Sequence, residues 1–392
     1  MPPPKAEILS DQMLTRFAER APIYDRENRF FQEDFDELRA ADYLRIAVPE
    51  KFGGKGLSLA QVCKEQRALA YHAAPTALAM NMHIYWTGVF ADVLRMGDQS
   101  MEPFLQEAGN GEVFAAGHAE SGNDLPVLLS TSTAERTDGG YRITGHKSFG
   151  SLTPVWTRLG VHAMDASDPK APKIVHAFVP RDTAGLTIRE TWDTLGMRAT
   201  KSDDTILTDA FVPDRYIARV VPAGGAGIDQ FVGALFAWAL LGFANVYYGL
   251  AQRMFDMTIE GVSKRTSIGL SRPLHYHAEV QHNVAEMAIE LEGIGPHLDR
   301  IADDWSNGVD HGPMWGAKIV AAKYDAVESS WRVVDQALEL AGGFGIFRQA
   351  PFERLWRDAR LGRIHPANSA LTHELVAKTY LGINPDEQPR WG

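Results

Sequence analysis

The period of the apolar residues changes twice along this chain, and this change restricts the possible folds more than any other feature. As far as about residue 110, apolar residues recur at helical spacing, and Ser58 is placed to cap a helix. From Gly111 to about Pro213 the period is two, in short runs such as YRITG and KIVHAFVP that are separated by turn clusters such as DGG and DPKAP. After Gly227 the helical spacing returns and continues to the C-terminus. The sequence therefore predicts an α+β multidomain protein in the order helical, β, helical.

The three predicted domains are residues 1–110, 111–225 and 226–392. We expect the middle domain to be an antiparallel β-barrel or sandwich, because turn signals divide it into many short strands. We expect the C-terminal domain to be a four-helix bundle, because its long amphipathic segments, 276–305 and 312–340, have no β partner.

One segment, residues 231–251, carries no charged residue and is long enough to span a bilayer. It contains three glycines, an asparagine and two tyrosines, and the chain has no second segment of this kind. A helix buried inside the protein is therefore the favoured interpretation, and we expect no membrane partner.

Composition argues against several classes of function. The net charge is −11 and no basic patch is evident, which argues against a nucleic-acid partner. The single cysteine, Cys63, excludes an internal disulfide framework and a cysteine-rich zinc site, so we expect no metal. The N-terminal sequence MPPPKAEILSDQ lacks the apolar core of a secretory signal. We expect a cytoplasmic protein that acts on a small molecule.

Several short motifs carry a resemblance to a known family. They are GHAESGND (117–124), GHKSFGSL (145–152), WDTLGMRATKSDDTILTDAFVP (192–213), and the pair ELAGGFGIF (339–347) and RLWRDARLGRI (354–364). Each resembles a motif of the acyl-CoA dehydrogenase superfamily, and the spacing between them also fits. The resemblance covers nearly the whole chain and implies a three-domain fold, FAD as the cofactor, and a homo-oligomer that we expect to be a tetramer.

The resemblance also implies which residues bind FAD. They are Gly117, Gly122 and Asn123 in a loop, Phe149 and Ser151 near a strand end, Arg265, and Gly342 and Gly343. Glycine lets the backbone approach the cofactor, while Phe149 supplies an aromatic wall and Ser151 a hydroxyl donor for the isoalloxazine ring. Asn123 replaces a small hydroxyl residue that contacts the pyrophosphate. Arg265 is expected to reach the FAD pyrophosphate of a neighbouring subunit.

Each of these residues also has a structural interpretation. Without the resemblance, the loop around Gly122 would be an ordinary turn and Phe149 a core residue of a strand. Arg265 would be a solvated arginine at a helix end. Helix termination would explain one glycine of the AGGFG sequence, but three within four positions favour a close approach to another group.

The catalytic glutamate of the family is missing. Most members carry it soon after the RDA motif, at the position of Pro366, and a minority carry it where this chain has Ala239 and Leu240. Proline also removes the backbone N–H that in the family donates to the thioester carbonyl. Losing an oxyanion donor costs on the order of 3 kcal/mol of barrier, and losing the base about 10²–10⁴ in rate. Thioester oxidation by this chain therefore cannot use the usual geometry of the family.

His365 and Asn368 are the candidate catalytic residues in this region. An imidazole titrates near neutral pH, and the amide of Asn368 can donate to a substrate oxygen or to the flavin. His118, on the flavin loop, and His373 are further candidates. For each histidine, the alternative is a hydrogen-bonded structural residue.

Three hypotheses on function follow. The first is an FAD-dependent oxidoreductase that oxidises an acyl-thioester or a related small substrate with a non-standard base. The second is a monooxygenase, because a histidine at this place resembles the flavin-dependent monooxygenases of the same fold. Those enzymes use reduced flavin on aromatic or heteroatom substrates and need no α-proton base. The third is a base-less partner subunit of a hetero-oligomeric acyl-CoA dehydrogenase.

Overall fold

A computed structural model describes residues 4–387 of the chain. The N-terminal part of the chain is helical, as predicted. The helices there are α1 (Asp11–Glu27), α2 (Gln32–Ala40), α3 (Leu59–Arg95) and α4 (Glu102–Gly109). Ser58 begins α3, and its side chain and that of Gln61 each accept the backbone N–H of the other. The helix bends at Ala73, two residues before Pro75, because proline disfavours helical backbone and removes an N–H donor.

The middle of the chain forms one mixed sheet. Its strands are β1 (Phe114–Gly117), β2 (Thr133–Thr137), β3 (Gly140–Gly150), β4 (Arg158–Asp165), β5 (Lys173–Pro180), β6 (Leu186–Arg189), β7 (Asp203–Pro213) and β8 (Ile217–Pro222). Their order is β6-β7-β3-β2-β4-β5-β8, with β1 paired to β4. The predicted antiparallel unit is present, but β1 and β2 each meet β4 in parallel. Turn signals do not reveal these pairings, because β1 enters the sheet from α4 and not through a hairpin.

The C-terminal helices pack around a central apolar helix. They are α5 (Gln230–Lys264), α6 (Ala278–Ser306), α7 (Trp315–Ala341), α8 (Pro351–Arg360) and α9 (Ser369–Leu381). α5 lies between α3 and α7, α6 packs on α7 and α5, and α9 packs on α7. Among the described residues, α5 is the one helix long and apolar enough to cross a membrane, yet 89% of its apolar window is buried inside the protein. The interpretation of 231–251 as a buried helix is confirmed.

The three domains meet at Arg357 on α8. Its guanidinium donates to the carboxylate of Asp25 in α1 at 2.6 and 3.0 Å, and to the carbonyl of Leu195 in the middle domain at 2.7 Å. The next residue, Asp358, is fully buried and accepts the backbone N–H of Met197 at 2.5 Å. One turn of α8 therefore links the C-terminal domain to both other domains.

Arg357→Ala is expected to lower the free energy of unfolding by about 3 kcal/mol, because the largely buried Asp25 carboxylate loses its partner. The matched control is Arg348→Ala, at an exposed position, which should change stability by less than about 0.5 kcal/mol. Urea denaturation followed by circular dichroism measures both. Equal stability of the two variants would show that Arg357 does not hold the domains together.

Candidate functional site

The first group of predicted cofactor residues lies at the end of β3. Phe149 has a positive φ of 59° and is 56% exposed, although it belongs to a sheet. This left-handed backbone is unfavourable for a bulky residue. The ring meets Trp192 edge to face, with centroids 5.8 Å apart. The backbone thus holds an aromatic face open to solvent, as a wall for a planar ligand requires.

Ser151 begins a chain of buried hydroxyls. Its Oγ lies 2.7 Å from Ser202 Oγ, which lies 2.7 Å from Thr200 Oγ1. Thr200 donates its one proton to the carbonyl of Met197, so Ser202 donates to Thr200 and Ser151 donates to Ser202. In this arrangement Ser151 presents lone pairs to a ligand. Its predicted role as a hydroxyl donor requires the Ser151 hydroxyl to turn away from Ser202 when a ligand binds.

Gly117 and Gly122 occupy the loop that follows β1. Gly117 is buried at the strand end, where a Cβ would lie 3.3 Å from side-chain atoms of Lys147 and Leu159. Gly122 is exposed and has a φ of 77°, a conformation that favours glycine. The loop therefore needs glycine for close packing at one end and for its backbone turn at the other.

Asn123 uses its side chain to shape the same loop. Its Nδ2 donates to the Glu120 carboxylate at 2.9 Å and to the Leu129 carbonyl at 2.7 Å. Its Oδ1 accepts the backbone N–H of Leu125 at 3.0 Å. These contacts support the loop, and the contact of Asn123 with a pyrophosphate stays a prediction.

A buried ion pair between Glu120 and Lys147 fixes this loop on β3. Glu120 also accepts hydrogen bonds from the Ser130 and Ser132 hydroxyls and from the backbone N–H of Thr131. Burial alone would raise the pKa of Glu120, but Lys147 and these donors hold it at about 2. Burial lowers the pKa of Lys147 to about 8, so both groups are charged at neutral pH. Sequence analysis did not identify this pair.

His118 lies beside the pair, among buried aromatic and imidazole rings. Its ring meets Trp86 at 5.3 Å and His162 at 5.4 Å, centroid to centroid. Its Nε2 is buried and has no hydrogen-bond partner within residues 4–387. Burial lowers the pKa of His118 to about 3, so the ring is neutral at physiological pH. These surroundings favour the structural interpretation of His118.

The second group of predicted cofactor residues lies where α5 and α7 end. Arg265 Nη1 donates to the carbonyls of Leu340 and Ala341 at 2.7 and 2.9 Å. Gly342 has a φ of 63°, and a Cβ there would lie 3.2 Å from Arg265 Nη2. Position 342 thus requires glycine both for its backbone and for its closeness to the arginine, and Gly343 follows in the same turn. The fold brings Arg265 against the turn of these two glycines, which lie more than 70 residues further along the chain.

A cavity of about 420 Å³ lies beside this group. Its walls include Arg265, Lys264, Thr258, Val262, Phe344 and Phe352. The Arg265 guanidinium and two aromatic rings suit an anionic ligand with an aromatic part, whereas the Lys264 ammonium is paired with Glu260. No hydrogen bond or ring contact within residues 4–387 connects this cavity with Phe149 or Ser151. Within one protomer, the predicted FAD residues therefore form two groups that no such contact joins.

The third group is the turn between α8 and α9, which contains His365 and Pro366. The His365 ring packs against Phe243 and Tyr247 of α5, with centroid distances of 4.7 and 5.7 Å. Burial, assisted by the nearby ammonium of Lys323, lowers the pKa of His365 to about 3. His365 therefore faces α5 as an uncharged imidazole near neutral pH.

Asn368 caps α9, which starts directly after this turn. Its Oδ1 accepts the backbone N–H of Leu371 at 3.0 Å, so the cap uses the carbonyl oxygen and leaves Nδ2 as a donor for a ligand. His373 lies one turn further along α9, where it is exposed and its Nδ1 bonds the carbonyl of Ser369 at 2.7 Å. This position favours the structural interpretation of His373.

The positions of the family's glutamate carry no carboxylate. Pro366 is exposed, and Ala239 and Leu240 of α5 are apolar. The acidic residue that contacts this part of α5 is Asp92 of α3, which accepts the indole N–H of Trp238 at 2.7 Å beside a second cavity of about 360 Å³. A second indole donates to the same oxygen at 2.7 Å, so Asp92 is held as a structural acceptor. The described residues also contain no cluster of three or more histidine, cysteine or acidic side chains that could hold a metal ion.

The chain is similar to known proteins both in sequence and in structure. Putative acyl-CoA dehydrogenase YdbM of Bacillus subtilis is 28% identical over 369 residues, which cover 93% of each chain. Amino sugar nitrososynthase DnmZ of Streptomyces peucetius is 29% identical over 374 residues, which cover 91% of this chain and 88% of that protein. The structure of KijD3 in complex with FMN and dTDP-3-amino-2,3,6-trideoxy-4-keto-3-methyl-D-glucose matches with a TM-score of 0.80 at 24% identity, over 96% of this chain and 93% of that one. At this identity the structural match shows the fold alone.

Three protein-family models match successive segments of the chain. They are the acyl-CoA dehydrogenase N-terminal domain at residues 8–102, the middle domain at 114–210 and the C-terminal domain at 225–381. Together these matches cover most of the chain and agree with its helical, β and helical parts. The chain therefore belongs to the acyl-CoA dehydrogenase superfamily.

Proposed function

We propose that this protein is a flavin-dependent monooxygenase that transfers one oxygen atom of O₂ to a heteroatom, with a small amine as the favoured substrate. In the balanced overall reaction, an amine RNH₂, O₂ and reduced flavin give RNHOH, water and oxidised flavin. A bound flavin would supply the electrons and the site of oxygen activation. The observation that carries this proposal is the lack of an effective proton acceptor at positions 365–368.

Removal of an α-proton needs a base whose pKa lies near the working pH. Pro366 has no acceptor in its side chain, and burial together with Lys323 holds the pKa of His365 at about 3. An imidazole with so low a proton affinity is a poor base for a weakly acidic C–H bond. Oxygen transfer to an amine begins without α-proton removal, so the same residues do not prevent it.

The amine is favoured by one relative, DnmZ, which is an amino sugar nitrososynthase. A neutral His365 and the free Nδ2 of Asn368 can bond to an amine or its hydroxylated product without adding a charge beside it. Together these points support a polar subsite for a nitrogen-containing substrate.

The residues of this chain fit a flavin. The exposed ring of Phe149 suits the isoalloxazine, and the glycine loop around Gly122 allows a close approach of the backbone. Arg265 suits the pyrophosphate, and the turn at Gly342 and Gly343 suits a close approach of the adenine half of FAD. Because no hydrogen bond or ring contact joins these parts within residues 4–387 of one protomer, we propose that FAD binds across a subunit boundary of a homotetramer. Three side chains beyond Gly343 are 56–70% exposed and apolar, which supports an interface there: Phe344, Ile346 and Phe347.

Arg265→Ala is expected to weaken FAD binding by about tenfold or more, because a charge-assisted hydrogen bond to the pyrophosphate is lost. It should also loosen the oligomer. Fluorescence titration with FAD and sedimentation velocity measure the two effects. Arg272→Ala, at an exposed position in the same connection, is the control and should change neither. Unchanged FAD affinity and unchanged assembly in Arg265→Ala would remove Arg265 from the cofactor site.

Oxygen transfer can be tested with a flavin reductase, NADH and a panel of amines and aromatic compounds under ¹⁸O₂. We expect a product that carries one ¹⁸O atom, detected by mass spectrometry, and loss of the product in His365→Ala. Consumption of NADH that yields hydrogen peroxide alone with every compound would count against the proposal.

Dehydrogenation of an acyl-thioester with a non-standard base is the second candidate, favoured by the similarity to YdbM over nearly the whole chain. Anaerobic bleaching of the flavin by an acyl-CoA ester would support it. A base-less partner subunit would show neither activity alone and would gain one when mixed with an active homologous chain. For either enzyme we propose a cytoplasmic location, since the one cysteine, Cys63, is free and buried.

A further inference from the structure

A buried lysine lies beneath the turn that carries His365. Lys323, on α7, is 1% exposed. Its ammonium donates to the carbonyls of His365 and Ala367 at 3.0 Å each, and to that of Gly362 at 3.4 Å. All three of its protons are therefore directed to a single turn of the backbone.

Lys323 has no carboxylate partner within residues 4–387, which is unusual because buried charges are normally paired. The acidic residue that acts on it, Glu328, binds Arg363 at 2.9 Å. Burial lowers the pKa of Lys323 to about 7, and Glu328 acts in the opposite direction. A methionine would fill a similar volume without this cost. A lysine is therefore explained at this position by the three backbone carbonyls of the turn, which accept hydrogen bonds from its ammonium.

We propose that Lys323 is a positioning residue that anchors the turn 362–367 and places its ammonium beside His365, which acts as a neutral hydrogen-bond donor. A neutral imidazole carries one N–H and can polarise a substrate oxygen without becoming an acid. Pro366, the next residue, has no N–H of its own to serve this purpose. The anchoring of the turn by Lys323 does not depend on the reaction that the protein catalyses. The role of His365 as a hydrogen-bond donor to a substrate rests on the proposed function.

Lys323 is the charged group that affects the pKa of His365, because the other groups packed against the ring are uncharged. Phe243 and Tyr247 of α5 pack against the ring, and burial raises the pKa of Tyr247 well above its ordinary value, so its phenol is neutral. Asp358 of α8 acts on Tyr247. Among the described residues, burial and Lys323 are the two causes that lower the pKa of His365.

The test is a titration of His365 by NMR in the purified full-length protein labelled with ¹³C,¹⁵N-histidine, with the signal assigned through His365→Gln. In the wild type we expect no titration above about pH 5. In Lys323→Met the midpoint should rise by about one pH unit, because the nearby cation is gone while the burial remains. Lys323→Arg, which keeps the charge, should stay close to the wild type. Lys318→Met, on the same helix, should have no effect.

Lys323→Gln separates the anchor from the charge, since its amide still donates to two carbonyls but carries no charge. We expect protection of residues 362–367 from hydrogen exchange to persist in this variant while the His365 midpoint rises. An unchanged midpoint in both Lys323→Gln and Lys323→Met, with the turn still protected, would overturn the proposal. So would a wild-type midpoint near the ordinary value for histidine. None of these measurements uses oxygen transfer, so a failure of the proposed function leaves them unaffected.

Discussion

Glu120→Gln is expected to lower the free energy of unfolding by about 3–5 kcal/mol, because it leaves the buried ammonium of Lys147 without its carboxylate partner. Lys147 is 1% exposed and cannot reach water without local unfolding. Urea denaturation at pH 7 measures the loss. Glu135→Gln, at an exposed position of β2, is the control and should cost less than about 0.5 kcal/mol.

The difference between the wild type and Glu120→Gln should also depend on pH. The folded pKa of Glu120 is about 2 and its ordinary value is 4.5, so the folded state favours the ionised carboxylate. This stabilisation is fully present above about pH 4.5 and is lost as the pH falls toward 2, where both states bind the proton. Denaturation at several pH values should show the two stabilities converging in that range. A difference that stays constant down to pH 2 would show that the carboxylate is not the source of the stability.

The order of the domains could be predicted because helical and strand periods depend on local sequence. The capping of α3 by Ser58 and its interruption near Ala73 follow from local rules of the same kind, a hydroxyl before an apolar run and a proline within a helix. The parallel pairing of β1 with β4 could not be predicted in this way, because it depends on how a strand that enters from α4 meets the sheet.

The candidate site was predictable to the extent that it follows sequence motifs. The motif around Gly342 indicated a close approach to another group, and the structure adds that Arg265 lies against it. The motif did not reveal that the hydroxyl of Ser151 is directed to Ser202, because the direction of that bond depends on Thr200 and Met197 in the segment before β7. The sequence also did not identify Lys323. In the sequence it is an ordinary lysine of an amphipathic helix, and only the structure shows that it binds the turn 362–367.

Saturated straight-chain acyl-CoA esters are expected not to bleach the flavin of the wild-type protein at rates typical of the family. Pro366 supplies neither a base nor an N–H donor, and His365 is too weak a base to replace the glutamate. The lost donor costs on the order of 3 kcal/mol and the lost base a further factor of about 10²–10⁴, so the rate should be lower by about 10⁴ or more. Anaerobic stopped-flow absorbance at the flavin band measures the rate.

Two variants divide this effect into its parts. Pro366→Gln restores a backbone N–H without a base, and Pro366→Glu restores both, provided that the carboxylate reaches the α carbon to within about 3 Å. If a thioester still binds, bleaching should be faster in the glutamate variant than in the glutamine variant by the contribution of the base, about 10²–10⁴. If neither variant bleaches, the pocket does not hold a thioester in a reactive position, which agrees with an oxygen-transferring enzyme. Rapid bleaching of the wild-type flavin would contradict the prediction, because another residue would then have to act as the base.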